Sequence, residues 1–150
     1  MADLQSLYQE AILDHYRKPR NYRKPEHSNR QADGFNPLCG DKLGIYLQIE
    51  NGTIQDIGFA GSGCAISIAS ASMMTEILKG KTEAEAKIIY DNFILLMTHH
   101  STAQSDPDDM GKLTVFSNVR DYPVRAKCAT LAWHTLRAAI ECVQETVSTE

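Results

Sequence analysis

The stretch that decides the fold is Leu43–Ala60, which reads LGIYLQIENGTIQDIGFA. β-Branched and aromatic side chains recur in both of its halves, and such residues favour β-strands. Asn51-Gly52 at its centre is the strongest short sequence signal for a two-residue hairpin turn. The stretch therefore predicts two antiparallel strands, Leu43–Glu50 and Thr53–Ala60, joined at that turn.

Helical patterns lie on both sides of this hairpin. Apolar residues at helical spacing predict an N-terminal helix that runs to about Tyr16 and is stopped by Pro19. Between this helix and the hairpin, Asn21–Pro37 is polar and rich in turn formers, so we expect an extended connection there. After the hairpin we expect a short extended piece at 65–68 and then a helix over Ala69–Leu78.

Two more helices are predicted in the second half of the chain. Thr82 and Glu85 form a capping-box pattern for a helix that runs to about Met97, and Ser105–Asp109 reads as an exposed loop. The last helix carries an apolar stripe with steps of three and four, made of Ala129, Trp133, Leu136, Ile140, Val143 and Val147. A hairpin-based sheet followed by helices indicates one α+β domain over residues 1–150.

Composition and charge are those of an ordinary globular chain. Its 150 residues are 43% hydrophobic and 23% charged, and a formal net charge of -4 gives no support to nucleic-acid binding as the main activity. The basic run Arg17–Lys24 is interpreted as a solvated loop or, alternatively, as a docking patch for an acidic protein partner.

Two segments bear on localisation. Met1–Glu10 is polar and lacks the apolar core of a secretory signal. Ile57–Thr75 carries no charge, but it is rich in Gly, Ala and Ser, and membrane insertion favours larger apolar residues. We therefore expect a cytoplasmic protein without a membrane span. Its thiols should stay reduced, which favours metal-ligand or nucleophile roles over disulfides.

The residues that indicate chemistry are cysteines in glycine-containing turns. Cys39 and Asp41 lie in Asn36–Asp41 (NPLCGD), where a thiol and a carboxylate two residues apart can be offered to one metal ion. Cys64 lies in a second glycine turn, and Cys128 lies where the last helix is predicted to begin. None of the three cysteines belongs to a CxxC pair, so a shared site would have to be assembled by the tertiary fold.

The fourth cysteine, Cys142, is excluded from such a site by distance. It follows Cys128 by fourteen residues on the same predicted helix, a separation of roughly 21 Å at the rise of an α-helix. We expect Cys142 to be a buried or half-buried thiol. The remaining candidates are Cys39, Asp41, Cys64 and Cys128, a donor set that suits zinc or an iron–sulfur cluster.

Two other readings of these residues are weaker. A purely structural zinc site is hard to reconcile with an aspartate ligand, which exchanges more readily than a fourth thiolate. A cysteine–histidine hydrolase would need Cys128 and His134 to face each other, yet a spacing of six residues points them in different directions on a helix.

Motifs along nearly the whole chain resemble one known family. They are Leu7-Tyr8, Asp14-His15-Tyr16, Pro19-Arg20-Asn21, Asn36–Asp41, Phe59–Ser67, Ser72–Glu76 and Pro123–Trp133. In order and spacing they resemble SufU, the IscU/NifU-like assembly protein of Gram-positive-type iron–sulfur pathways. The resemblance implies the SufE/NifU (IscU-like) fold, in which helices pack on one face of a small antiparallel sheet of about three strands.

The resemblance also implies a ligand set and two distinctions within the superfamily. The metal ligands carried over are Cys39, Asp41, Cys64 and Cys128. Lys127 stands where IscU-type scaffolds have a histidine, and the segment Asn92–Met110 is longer than in those scaffolds. SufU shares both of these differences.

The function implied by the resemblance is zinc-dependent sulfur transfer. Cys39 would take a persulfide sulfur from a SufS-type, pyridoxal-phosphate-dependent cysteine desulfurase, after a histidine of that partner replaces Cys39 on zinc. Arg125 would position the exchanged arrangement, and the sulfur would pass to the downstream Suf assembly machinery. The alternative is a scaffold on which a [2Fe–2S] cluster, in place of zinc, is built on the same ligands.

Overall fold

The protein is described from a computed structural model, which covers residues 4–98, 111–119, 121–142 and 146–148. In chain order the elements are helix α1 (Leu4–Arg17), strands β1 (Arg30–Asn36), β2 (Asp41–Glu50) and β3 (Thr53–Ser62), helices α2 (Ala65–Leu78) and α3 (Glu83–Thr98), a 3₁₀ helix (Gly111–Val119), helix α4 (Pro123–Ile140) and strand β4 (Val147–Ser148). Helices and a sheet in this arrangement confirm the α+β class.

The central hairpin forms as predicted. β2 and β3 pair antiparallel, with Ile45 opposite Phe59 and Leu47 opposite Ile57. Asn51 and Gly52 take φ values of 53° and 76°, the left-handed conformation that the preferred two-residue turn requires at both positions. These four paired side chains are fully buried, so the hairpin supplies one wall of the core.

Strand β1 is the main element that the sequence did not predict. Arg30–Asn36 lies within the expected extended connection but pairs antiparallel with β2 along its whole length. Its inward-facing residues are Ala32, Gly34 and Asn36, none of which is a large apolar residue. The sequence of β1 therefore lacks the alternation of large apolar and polar residues that is typical of a strand. Gly34 is required there, because a Cβ atom would lie 2.0 Å from Thr135 Oγ1.

The first turn of α2 also differs from expectation. The extended piece expected at 65–68 is wrong, since the helix already begins at Ala65. Ser67 through Thr75 are all buried, because α2 packs against α1, α4 and β3. Small Ala and Ser side chains allow this close packing. Ser70, for example, donates to the carbonyl of Ala129 at 2.6 Å and accepts from the Trp133 indole at 3.1 Å.

Helix α3 begins with the capping box that the sequence predicted. The Thr82 amide donates to Glu85 Oε1 at 2.9 Å, and the Glu85 amide donates to Thr82 Oγ1 at 3.1 Å. The helix ends at Thr98, one residue beyond the expected end. The predicted loop Ser105–Asp109 lies outside the described residues.

The last helix is shorter than its apolar stripe suggested. It ends at Ile140, and Cys142 takes a φ of 60°, the left-handed conformation that commonly ends helices. Val147 was expected on this helix but pairs with Gly34 in β4, parallel to β1. The sheet therefore has the order β3-β2-β1-β4, three antiparallel strands as expected plus a two-residue parallel one.

The core lies between the sheet and the helices. Helix α4 packs on β1 and β2, and α2 packs on β3. Phe93 stacks on Trp133 with ring centroids 4.7 Å apart and meets Phe116 edge-on. In the described part of the chain, every helix is too short or too polar to cross a membrane.

Candidate metal centre

The turn between β1 and β2 places Cys39 and Asp41 at different depths. Asn36 and Asp41 are paired across the two strands, and the Gly40 amide closes the turn on the Asn36 carbonyl at 2.8 Å. Gly40 has a φ of 73°, which favours glycine. Cys39 is consequently exposed at the tip of the turn, while Asp41 is fully buried.

The second glycine turn brings Cys64 against Asp41. Cys64 is the N-cap residue of α2, and its amide donates to Asp41 Oδ1 at 2.9 Å. A Cβ atom on Gly63 would lie 2.6 Å from the same carboxylate oxygen. A glycine at this position therefore allows the turn to approach Asp41 closely.

Helix α4 supplies the third thiol, that of Cys128. Pro123 occupies its first turn, where proline is well tolerated. Cys128 lies further along the helix and is 1% exposed. Its sulfur is 3.2 Å from that of Cys39. Residues 89 positions apart in the sequence thus meet in one cluster.

Three of the four candidate residues form a compact donor group. One ligand atom from each of Cys39, Asp41 and Cys128 lies within 4.8 Å of the others. Zinc–sulfur bonds of about 2.3 Å in tetrahedral geometry place two sulfurs roughly 3.8 Å apart. Two thiols and one carboxylate at these separations therefore fit a zinc or iron ion after small side-chain movements.

Cys64 lies outside this group of three but hydrogen-bonds with it. The Cys128 thiol hydrogen-bonds to Cys64, and this contact is the main cause that lowers the pKa of Cys64 to about 6. The same hydrogen bond, followed by burial and a hydrogen bond to Cys39, raises the pKa of Cys128 above its usual range. The contact therefore makes Cys64 the more acidic of these two thiols.

Asn36 is a residue of this site that sequence reasoning quoted but gave no role. It is fully buried, and its side-chain NH₂ group lies 3.3 Å from Asp41 Oδ2 and 3.4 Å from Cys128 Sγ. The side-chain oxygen of Asn36, Oδ1, accepts from the Leu38 amide at 3.2 Å. An Asn that bonds the amide two residues later forms a common turn motif, and this signal was available in Asn36-Pro37.

The predicted positioning residue, Arg125, lies in the first turn of α4 at the surface. Its guanidinium is 5.3 Å from the centre of the Tyr122 ring. Lys127 is half-buried on the same helix. Tyr122, Val124 and Leu38 are exposed apolar side chains on the segments that carry the thiols. The start of α4 thus presents both apolar and cationic side chains to solvent.

Two other sequence interpretations can be placed in the structure. Cys142 does not join the donor group, as expected from its distance along the chain from Cys128. It is exposed and lies beyond the end of α4, so the expectation of a buried or half-buried thiol on the helix was wrong. His134 is the histidine of the cysteine–histidine hydrolase reading. Its Nδ1 lies 2.9 Å from the Tyr90 hydroxyl. Burial and then the charge of Arg137 lower the pKa of His134.

The basic run Arg17–Lys24 is partly neutralised within the fold. Arg20 pairs with Asp14 at 2.7 Å, and Arg23 pairs with Asp56 at 2.9 Å. These ion pairs agree with the interpretation of a solvated surface loop.

Comparisons with known proteins show what the chain is similar to. Residues 7–129 match the family described as the NifU-like N-terminal domain. The chain is 36% identical to the zinc-dependent sulfurtransferase SufU of Bacillus subtilis, over 93% of this chain and 92% of that protein. It is 35% identical to the iron–sulfur cluster assembly scaffold protein IscU of Streptococcus pyogenes, over 94% of this chain and 87% of that protein.

A solved structure also resembles the chain. It is the crystal structure of the SufU protein of the thermophile Fervidobacterium islandicum AW-1, a candidate scaffold protein for the SUF system. The two chains superpose with a TM-score of 0.81 at 34% identity, over 87% of this chain and 94% of that one.

Proposed function

This chain belongs to the family of NifU-like N-terminal domains, whose members similar to it act in iron–sulfur cluster assembly, and from that premise we propose that it is a zinc-dependent sulfur-transfer protein. The observation that carries the proposal is the cluster of Cys39, Asp41 and Cys128, whose ligand atoms all lie within 4.8 Å of one another. In this cluster the thiol of Cys39 is exposed, while Cys128 and Asp41 are buried.

In the proposed site Cys39, Asp41, Cys64 and Cys128 would hold one zinc ion. A zinc ion bound there would hold these thiols in the deprotonated form and limit their reactivity. The carboxylate of Asp41 is a harder ligand than a thiolate, so the site differs from a closed structural site of four cysteines. Cys64 joins the group through its contact with Cys128 and the bond from its amide to Asp41.

The sulfur step follows from the exposure of Cys39. Its thiolate attacks the outer sulfur of a persulfide on the partner enzyme, which forms a new S–S bond to Cys39. The S–S bond of the donor breaks, and the donor cysteine leaves as a thiolate. No net oxidation occurs, since one persulfide is consumed and one is formed. The buried thiol of Cys128 cannot be reached in this way.

The proposed donor is a SufS-type cysteine desulfurase that uses pyridoxal phosphate, and the proposed setting is the cytosol, where thiols stay reduced. Arg125 is exposed near the start of α4, so its guanidinium would be available to position Cys39 for sulfur transfer. The downstream Suf assembly machinery would then receive the sulfur.

A second candidate function is a scaffold for a [2Fe–2S] cluster on the same residues. The relative from Streptococcus pyogenes, an assembly scaffold by name, favours it. Thiolates and one carboxylate are also chemically suited to iron. The two functions differ in what the purified protein contains and in what the desulfurase adds to it.

One experiment separates the two candidates. The protein is purified without oxygen, its metal is measured, and its intact mass is recorded after incubation with a SufS-type desulfurase and cysteine. We expect one zinc ion per chain and the gain of one sulfur atom. Iron together with acid-labile sulfide would contradict sulfur transfer and support the scaffold.

Substitutions show whether the sulfur step uses the proposed residues. Cys39→Ala, Cys64→Ala and Cys128→Ala are each expected to abolish stimulation of the desulfurase. Cys142→Ser is the matched control, because Cys142 is exposed and lies outside the donor group. Full stimulation by any of the three alanine variants would overturn the assignment of these cysteines to one site. Loss of stimulation in Cys142→Ser would also overturn it.

A further inference from the structure

Asn36 contacts two proposed ligands that come from different parts of the chain. Its side-chain NH₂ group reaches Asp41, the first residue of β2, and Cys128, which lies on α4. No part of Asn36 is exposed to solvent. A buried polar side chain with such contacts restricts the position of both partners.

The orientation of the Asn36 side chain is determined by the turn. The Leu38 amide can only donate, and it lies 3.2 Å from the oxygen of the Asn36 side chain. The nitrogen must therefore face Asp41 and Cys128, to which it can only donate. The side-chain oxygen of Asp41 and the sulfur of Cys128 can both accept these hydrogen bonds.

Asn36 treats the thiols of the donor group unequally. It donates to Cys128 at 3.4 Å, whereas among the described residues it makes no hydrogen bond to Cys39. The hydrogen bond from Asn36 restrains the position of the Cys128 sulfur, whereas Asn36 doesn't hold the Cys39 sulfur in this way. Burial adds to this difference, because Cys128 is 1% exposed and Cys39 lies at the surface.

We propose that Asn36 is a positioning residue that holds Asp41 and Cys128 in their ligand positions and thereby leaves Cys39 as the thiol released for sulfur. The inference rests on the proposed function, since it concerns the metal site described there. Residues that orient metal ligands through hydrogen bonds typically contribute about 10–100-fold to metal affinity. Asn36 would contribute to zinc affinity and also to the selection of Cys39 as the thiol that accepts sulfur.

Two substitutions separate this role from simple turn formation. Asn36→Asp keeps the oxygen that accepts from the Leu38 amide but removes the NH₂ donor. Asn36→Leu is similar in size and removes both. Asn29→Ala is the control, because the Asn29 side chain likewise uses both its oxygen and its nitrogen, in hydrogen bonds to the amide and the carbonyl of Ile49. Asn29 lies on a segment that contributes no residue to the donor group.

The first readout is zinc release to a chromogenic chelator, together with the absorption spectrum of the cobalt-substituted protein. Both Asn36 variants should release zinc about 10–100-fold faster or bind it that much more weakly. Their sulfur-to-cobalt charge-transfer bands should shift from those of the wild type. The Asn29 control should match the wild type in both measurements. These measurements need no desulfurase and no turnover.

The second readout is the pattern of alkylation by iodoacetamide in the zinc-loaded protein, mapped by peptide mass spectrometry. Exposed Cys142 serves as the internal reference. In the wild type, Cys39 should react more slowly than Cys142, because it is a proposed zinc ligand, but faster than the less exposed Cys64 and Cys128. In Asn36→Asp, Cys128 should gain reactivity relative to Cys142.

The outcomes distinguish this inference from the proposed function. A wild-type protein that binds no zinc would contradict the proposed function itself. A zinc-loaded Asn36→Asp protein with wild-type zinc release, cobalt spectrum and alkylation pattern would overturn the role of Asn36 and leave the proposed function standing. If only Asn36→Leu changes, Asn36 serves the turn alone, and the inference is wrong.

Discussion

At the scale of single residues, the three thiols of the site differ in their exposure to solvent. Cys39 is exposed, Cys64 is half-buried and Cys128 is buried, although all three thiols are linked by hydrogen bonds through Cys128. Of these three thiols, Cys39 is the one that a protein partner can reach. Thiol position, more than thiol chemistry, therefore decides which cysteine accepts sulfur in our proposal.

Asp41 is expected to matter for stability as well as for zinc. It is fully buried and accepts from the Cys64 amide and the Asn36 side chain. Asp41→Ala should abolish or strongly weaken zinc binding. It should also lower the free energy of unfolding by about 1–3 kcal/mol, because buried donors lose their acceptor. Urea unfolding and zinc titration measure the two effects.

Asp33→Ala is the control for Asp41, since Asp33 is an exposed aspartate on the neighbouring strand β1. It should retain zinc binding and nearly all stability. An Asp41→Ala protein that holds zinc as tightly as this control would remove Asp41 from the ligand set.

Arg125 is predicted to act in transfer and not in metal binding. Arg125→Ala should bind zinc normally but accept sulfur from the desulfurase at least tenfold more slowly, a loss of about 1.4 kcal/mol in transition-state stabilisation. Arg137→Ala is a matched control, because each arginine lies over a tyrosine ring of its own surroundings, at 5.3 Å and 5.7 Å. Equal transfer rates in the two variants would refute a role for Arg125.

At the scale of elements, sequence patterns predicted what large apolar residues or turn chemistry encode. The β2–β3 hairpin, its Asn51-Gly52 turn and the capping box of α3 all formed as expected. β1 was missed because its inward positions are Ala, Gly and Asn. The end of α4 was missed because Val147 continues the helical spacing although it lies in β4.

The same contrast applies to the site. Residue types and glycine turns were enough to nominate Cys39, Asp41, Cys64 and Cys128 as one set. The sequence could not show that the Asn36 side chain joins Asp41 to Cys128, because that link requires β1, which was not predicted. Nor could it show that Cys142 is exposed, since the helix was expected to continue through it.

Helix packing predicts a pH effect at His134. Burial, and then the charge of Arg137, holds the pKa of His134 below its ordinary value of 6.5. The unfolded chain therefore binds a proton at His134 more readily than the folded one. The contribution of His134 is fully present above pH 6.5 and is lost as the pH falls from there through the folded pKa.

His134→Asn tests this effect, because asparagine can keep a hydrogen bond to the Tyr90 hydroxyl without titrating. Melting temperatures are measured between about pH 7.5 and pH 5.5, the range in which an ordinary histidine changes its charge. The wild type should lose more stability on acidification than the variant. Identical slopes in the two proteins would show that His134 doesn't titrate differently on folding.

At the scale of the whole molecule, the fold joins three distant segments. The β1–β2 turn and the body of α4 meet at the donor group, and the Cys64 amide at the start of α2 donates to Asp41 of that group. An ion bound there would act as a cross-link between these segments. Metal binding and folding should therefore be coupled.

Zinc removal tests this coupling. Chelation should lower the melting temperature of the wild type, since free zinc at one hundred times its dissociation constant adds about 2.7 kcal/mol to the folded state. The Asp41→Ala variant, which lacks a proposed ligand, should show little change. A wild-type protein with the same melting temperature with and without chelator would contradict the cross-link.

The most direct test of the account is a crystal structure of the zinc-loaded protein, with the metal located by anomalous scattering at the zinc edge. We predict a single ion bound by Cys39, Asp41, Cys64 and Cys128, with the Asn36 side chain against Asp41 and Cys128. An ion bound elsewhere, or at this site without Cys39 among its ligands, would contradict the central claim.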